Sequence, residues 1–208
     1  GEGDPTKIDG YATITGAQRF TFPVGDAVHL RELSLNSDAI NSFARCAYFF
    51  ENPNNPTQFP GFDTALRPRD IAAINSLEFW RLEGNEISTV TLTWNRRSNM
   101  GAIAVDPASI TVVGWNISEG RWLDLGNVAV GGDLDAGFVT SFSFVPNEYA
   151  ILTLGSLAEP AELLTLDNYI VTPNGDGIND FLEIPELLEN PNNSIRIFDR
   201  RGLKVFEM

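Results

Sequence analysis

Residues 88–94, STVTLTW, alternate threonine with the bulky apolar side chains Val90, Leu92 and Trp94. A period of two places consecutive side chains on opposite faces of an extended chain, so one face is apolar and the other polar. The stretch therefore predicts a β-strand that lies half-buried in an antiparallel sheet.

The same alternation recurs along the chain, in RFTFPV at 19–24, SITVVGW at 109–115 and FVTSFSFV at 138–145. Clusters of Gly, Asn, Asp and Pro separate these stretches, and short strands joined by such turns are typical of a β-sandwich. One exception is expected within RPRDIAAINS, residues 67–76, where Ile71 and Ile74 would share a face of a short helix. The predicted fold class is all-β, with an antiparallel β-sandwich as its first part.

Charge and composition narrow the classes of partner. The 208 residues include 28 acidic and 14 basic side chains, a formal net charge of −14. Such a surface repels phosphate backbones, so we expect no nucleic acid partner. The one cysteine, Cys46, stands in the apolar run FARCAYFF and is expected to be a buried, unreactive thiol. The one histidine, His29, is expected to be a strand side chain at a sheet surface.

Two features of the ends bear on export. Residues 1–5, GEGDP, include neither an initiator Met nor a signal peptide, and no apolar run approaches the length of a membrane span. We therefore expect the chain to be an excerpt of a longer precursor.

A domain boundary is predicted near 156–164, where Gly155, Ser156 and Pro160 interrupt the alternation. Residues 1–158 would form the first sandwich. Residues 164–208 would contribute four strands, which is only part of a second one. An incomplete sheet exposes strand edges, so further sequence or a partner is expected to cover it.

The stretch TPNGDGINDFLEI, residues 172–184, concentrates oxygen ligands around two glycines. Its spacing fits the calcium-loop pattern, with Gly177 at the sixth position and Thr172 at the first, where Asp is usual. The candidate calcium ligands are Asn174, Asp176, the carbonyl of Ile178, Asp180 and Glu183. The alternative is an Asx-rich turn whose carboxylates accept backbone N–H groups. Both interpretations stay open at this point.

Catalytic motifs are missing from the sequence. It has no nucleophile-elbow glycine motif, phosphate loop or cluster of zinc ligands. We expect that the chain is not an enzyme. Its four tryptophans fall in or beside strand stretches, so core packing is their first explanation, and an aromatic platform for sugar, centred on Trp115 or Trp122, is the alternative.

The C-terminal part has a recognisable pattern. VTPNGDGINDFLEI followed by NNSIRIFDRRGLKVFE resembles the start of the gliding-motility-associated C-terminal domain, the type B sorting domain of Bacteroidota type IX secretion substrates. The chain departs from that family at Asp199, where Asn is usual, and at Arg201, where Trp is usual. The residues that match the family motif are Thr172, Pro173, Asn174, Gly175, Asp176, Gly177, Asn179, Asp180, Arg200 and Gly202.

The resemblance implies a role in secretion. Residues 164–208 would be the first part of an Ig-like sandwich, which family members extend by about as many residues again. The protein would cross the periplasm, be recognised by the outer-membrane type IX translocon and its shuttle proteins, and reach the cell surface or the medium. A role in gliding motility or adhesion would follow.

The first block also resembles a known type of module. Residues 8–155 are similar to a β-rich module that precedes such sorting domains in large Bacteroidota surface proteins. The alternative function is a carbohydrate-binding or adhesive module, or an accessory part of a secreted polysaccharide hydrolase, with a surface glycan as partner.

Overall fold

The structure, a computed structural model, describes residues 7–158, 174–176, 196–198, 201 and 203–207. The chain divides into two compact units, Gly1–Ala161 and Glu162–Met208. The boundary predicted near 156–164 stays a prediction, because most of that stretch lies outside the described residues.

The first unit is built from short strands that follow the alternation of the sequence. Its strands are β1 Ile8–Asp9, β2 Ala12–Ile14, β3 Ala17–Phe22, β4 Val24–Gly25, β5 Leu33–Asn41, β6 Ala44–Phe49, β7 Ile71–Ile74, β8 Phe79–Gly84, β9 Ser88–Trp94, β10 Ile110–Asn116, β11 Arg121–Gly126, β12 Ala129–Gly132, β13 Gly137–Thr140 and β14 Tyr149–Leu157. Four 3₁₀ turns accompany them, at Arg96–Ser98, Met100–Ala102, Pro107–Ser109 and Pro146–Glu148. Within the described residues, no helix is long and apolar enough to cross a membrane.

Two antiparallel sheets form the sandwich. One has seven strands, in the order β11-β10-β14-β8-β6-β2, and β7 pairs with β14 outside this path. The other has five strands, in the order β12-β13-β9-β5-β3. β1 and β4 form a separate two-stranded parallel sheet, and Val24 of β4 belongs to the main core. The predicted all-β sandwich is confirmed.

The main core lies between the two sheets. Leu33, Leu92 and Val139 face one another in register across β5, β9 and β13, and all three are fully buried. Val112 and Leu154, paired between β10 and β14, belong to the same apolar cluster from the seven-stranded sheet. Burying such side chains contributes roughly 1.5–3 kcal/mol each.

A second apolar cluster lies on the outer side of the seven-stranded sheet. Val113 and Ile151, which alternate with inward-facing residues, pack there with Phe79 and Trp122. Phe59 and Phe62, from the long connection between β6 and β7, belong to this cluster. That connection therefore covers this outer face and removes its apolar side chains from water.

The predicted strands match the structure with two adjustments. The stretch at 88–94 coincides with β9, and the stretch at 109–115 matches β10 within one residue. The stretch at 19–24 is divided at Pro23, because proline has no N–H to donate to a ladder. The stretch at 138–145 ends as a strand at Thr140.

The helix expected within residues 67–76 is wrong, because Ile71–Ile74 forms β7. The register of β7 against β14 shifts between Ser156 and Leu157. Such a bulge changes the phase of the alternation, so Ile71 and Ile74 are both buried although they are three residues apart. Their spacing therefore imitates a helical face.

Candidate functional site

The acidic stretch predicted to bind calcium is described at three residues, Asn174, Gly175 and Asp176. They form an exposed bend, and Gly175 has φ +77°, a conformation that favours glycine. Asn174 Nδ2 donates to Asp176 Oδ2 at 2.8 Å, and the Asp176 N–H donates to Asn174 Oδ1 at 3.2 Å. This local geometry is that of an Asx turn.

The remaining residues of that stretch lie outside the described residues, among them Thr172, Pro173, Gly177, Ile178, Asn179, Asp180 and Glu183. The structure therefore places two of the five candidate ligands, and the calcium site stays a prediction. In the part of the chain that is described, no three His, Cys, Asp or Glu side chains lie close enough together to hold a metal ion.

A hairpin follows in the second unit, formed by β15 Arg196–Phe198 and β16 Lys204–Glu207. Ile197 pairs with Phe206, and the register then shifts so that Val205 is the extra residue. Ile197, Leu203, Val205 and Phe206 are exposed. Arg201 lies in the turn, whereas Arg200 and Gly202 of the motif lie outside the described residues. The described part of the hairpin thus presents exposed apolar side chains.

The first unit contains a buried polar cluster that the sequence did not reveal. Arg31 Nε and Nη2 donate to the two carboxylate oxygens of Glu78, at 3.0 and 2.6 Å, and the Tyr48 hydroxyl donates to Glu78 Oε2 at 2.6 Å. Arg31 Nη2 also donates to the Thr93 carbonyl and to Ser98 Oγ. Burial and the charge of Glu78 raise the pKa of Tyr48. Both carboxylate oxygens of Glu78 accept hydrogen bonds from these buried side chains. We therefore interpret the cluster as a structural link between the two sheets and not as a reactive acid.

A second charged pair lies closer to the surface. Arg97 Nη2 is 2.7 Å from Asp26 Oδ2, and the guanidinium carbon lies 3.9 Å from the centre of the Phe50 ring. Asp26 Oδ1 accepts the backbone N–H groups of Val28 and His29. Burial raises the pKa of Asp26, but the bonds from Arg97 and these amides outweigh it and lower the pKa to about 2.

The position of His29 differs from the prediction. His29 lies in the turn that follows β4, not in a strand, with Nδ1 3.3 Å from Asp26 Oδ1. The turn reverses the chain through Asp26, whose carboxylate serves as the local acceptor. Cys46, by contrast, is buried as expected, and burial raises the pKa of its thiol.

The tryptophans do not form an exposed platform. Trp80 and Trp122 are fully buried and Trp94 is nearly so. Trp115 is half-buried, with its ring 5.8 Å from Trp122 and edge-on to it. The proposal that Trp122 stacks on sugar is therefore wrong, because that ring belongs to the covered outer face.

The outer face of the five-stranded sheet is polar and lined with hydroxyl groups. Thr21, Ser34, Thr91 and Thr140 stand in register across β3, β5, β9 and β13. In the sequence, the threonines of STVTLTW predict only a strand. The Thr-x-Thr-x-Thr spacing was nevertheless a signal that one strand presents hydroxyl groups on a single face.

Comparison with known proteins identifies the C-terminal part. Residues 164–208 match the CHU_C type IX secretion signal domain. No curated protein and no solved structure matches the chain. The match confirms the resemblance to a type IX secretion signal domain that the motif of this segment indicated.

Proposed function

We propose that this protein, whose residues 164–208 carry a type IX secretion signal domain, delivers a non-catalytic, adhesive β-sandwich to the bacterial cell surface. The match to the signal domain is the observation that carries the proposal. Such a domain implies interaction with the type IX machinery and export to the cell surface or the extracellular space. Adhesion, including the adhesion that accompanies gliding, is our proposal for the work of the exported unit.

The pairing of charged side chains supports a non-catalytic role. Glu78 is held by Arg31 in the core, and Asp26 is held by Arg97. A general acid or base needs a pKa near the working pH and access to a substrate. The ion pair instead lowers the pKa of Asp26 to about 2, and the Cys46 thiol is fully buried.

The exposed hairpin supports a docking role in secretion. Exposed apolar side chains grouped on a surface are typical of sites that bind another protein. Among the described residues, β15 and β16 form a two-stranded sheet with Ile197 and Val205 exposed. We propose that the outer-membrane translocon or its shuttle proteins bind this hairpin.

The outer face of the five-stranded sheet favours adhesion over an accessory role in catalysis. This face presents threonine hydroxyls to solvent, whereas the corresponding face of the other sheet is covered by the Phe59 and Phe62 connection. A polar sheet face left open offers many hydrogen bonds to an external surface.

A secretion assay tests the first part of the proposal. The precursor that contains this chain and a version of it that lacks the signal domain from residue 162 onward are each given the same cleavable leader for inner-membrane export and are expressed in a type IX-competent bacterium. We expect the precursor outside the cell and the shortened version in the periplasm. Equal amounts of both outside the cell would contradict the proposal.

Point variants test the docking hairpin. Ile197→Asp with Val205→Asp places charge on the hairpin, and we expect the exported fraction to fall several-fold. Ile117→Asp with Val128→Asp provides a control with the same substitutions, because these side chains are also exposed and lie in the first unit. If both pairs of substitutions reduce export equally, the hairpin has no specific role.

A further inference from the structure

The outer face of the five-stranded sheet carries a continuous row of hydroxyl groups. The oxygens of Thr21 and Ser34 lie 2.8 Å apart, and so do those of Thr91 and Thr140. In each pair one O–H group bonds to the other hydroxyl, so the second O–H group and several lone pairs remain for an external ligand. Neighbouring strands lie about 4.8 Å apart, so the row has a regular spacing.

A second row runs parallel to the first. Arg19, Asn36 and Thr89 are in register across β3, β5 and β9, and Arg19 Nε donates to Asn36 Oδ1 at 2.7 Å. This bond fixes the orientation of the amide, whose NH₂ group supplies donors of its own. All members of the two rows except Thr140 line a hollow of about 500 Å³, with Phe20 at its border.

An aromatic ring lies on the same face at the other side of the rows. Phe138 pairs with Thr93 on one side and with Gly131 on the other. A Cβ atom at Gly131 would lie 2.5 Å from the Phe138 ring, so the ring covers the glycine. Phe138 nevertheless keeps 42% of its surface exposed. The Phe138 ring thus packs on Gly131 and is partly exposed to solvent.

The charge of the two rows differs from that of the whole chain. The chain has a formal net charge of −14. The two rows contain one charged side chain, Arg19, and it is bonded to Asn36. An anionic polymer would need several cations here, and a protein partner would need a larger apolar centre. A neutral polymer rich in hydroxyl groups needs neither several cations nor a large apolar centre.

We propose that this face, from Arg19 to Phe138, binds a chain of neutral polysaccharide. The hydroxyl rows and Asn36 exchange hydrogen bonds with sugar hydroxyls, and the apolar face of one sugar ring stacks on Phe138. This inference rests on the proposed adhesive function and names its ligand class. It also relocates sugar binding from the buried tryptophans to the opposite side of the sandwich.

Affinity electrophoresis of the full chain tests the inference. Native gels contain one of four probes: laminarin, galactomannan, arabinoxylan or the anionic polymer alginate. We expect at least one neutral polysaccharide to retard the protein, and alginate to leave its migration unchanged. Thr91→Val with Thr140→Val, and separately Phe138→Ala, should each weaken the retardation about tenfold, which corresponds to one or two lost contacts.

Matched variants on other surfaces serve as controls. Thr13→Val removes an exposed hydroxyl from β2, and Phe43→Ala removes a ring that is 43% exposed, nearly the same as Phe138. Both should bind like the unmodified chain. Thermal melting of each variant shows whether it is folded. If the variant with both threonine substitutions does not fold, Thr91→Val alone is tested in its place.

Three outcomes would overturn the inference: no retardation by any of the neutral polymers, retardation by alginate alone, or equal loss of binding in the control variants. The secretion assay keeps the two proposals distinct. A chain that is exported normally but retarded by none of the neutral probes refutes this inference and leaves the proposed function standing.

Discussion

The outer faces of the two sheets follow the same rule of alternation and reach opposite outcomes. On the seven-stranded sheet the outward positions include Val113 and Ile151, and a long connection folds over them. On the five-stranded sheet the outward positions include Thr91 and Thr140, and they stay open. The chemistry of alternate residues thus decides whether a sheet face acquires a cover or remains available to a ligand.

Truncating a side chain on the covered face should cause the largest loss in the free energy of unfolding. Phe79 is fully buried, with its ring stacked on Phe49 at 5.0 Å and edge-on to Phe59 at 6.1 Å. Phe79→Ala should lower the free energy of unfolding by about 4 kcal/mol, because it leaves a cavity. Urea denaturation followed by tryptophan fluorescence measures the change.

The open face supplies the comparison for that variant. Phe138→Ala should lower the free energy of unfolding by less than about 1 kcal/mol, since the ring is already partly in water. Similar losses for Phe79→Ala and Phe138→Ala would show that the two faces do not differ as described.

Breaking the buried ion pair between Arg31 and Glu78 should cause the next largest loss in the free energy of unfolding. Glu78→Gln leaves Arg31 buried without its counter-charge and should cost about 3 kcal/mol in the free energy of unfolding. Glu83→Gln is the control, because Glu83 pairs with Arg45 and Arg81 near the surface and should cost less than about 1 kcal/mol. Equal costs in urea denaturation would place Glu78 in a solvated environment and contradict its burial.

A partly exposed pair should show an intermediate effect that depends on pH. The pKa of Asp26 is lowered to about 2 from 3.8, so its contribution is fully present above pH 4 and is lost as the pH falls through 2. Asp26→Asn should therefore be less stable than the unmodified chain by about 2 kcal/mol at pH 6. Thermal melting from pH 6 to pH 2 should show the two curves converging. A constant difference would exclude the ionised carboxylate as the source.

Changes to the hydroxyl row should have the smallest effect on stability. Thr91→Val with Thr140→Val should change the free energy of unfolding by less than about 0.5 kcal/mol, because the side chains are in contact with solvent. The reverse change on the covered face, Val113→Thr, buries a hydroxyl group and should cost about 2 kcal/mol. Urea denaturation that ranks these variants in the opposite order would contradict the assignment of the two faces.

Most of the fold can be predicted from the sequence, because period-two alternation is a local property. The alternation predicts β9 at residues 88–94 correctly, but the spacing of Ile71 and Ile74 predicts a helix where a bulged strand imitates a helical spacing. The alternation at 138–145 also extends beyond the regular strand. After Thr140 the pairing with β9 becomes irregular, because the Phe142 N–H donates to the Leu125 carbonyl on β11, and it resumes as a single bridge between Phe144 and Ser88.

The candidate sites also differ in how far they could be predicted from the sequence. The motif around Asn174 and Asp176 is contiguous in sequence, so the secretion signal could be recognised from a few residues. The hydroxyl row joins Thr21, Ser34, Thr91 and Thr140, which come from four strands. Their alignment depends on strand register, and register is set by tertiary pairing that no local pattern contains.

Delivery to the cell surface is the claim on which the other proposals depend, and labelling of intact cells tests it most directly. An antibody against the first unit is applied to unbroken cells of a type IX-competent strain and of the same strain without its outer-membrane translocon. We predict strong labelling of the first strain, and labelling of the second only after the outer membrane is opened. Equal labelling of both strains before opening would contradict export by the type IX route.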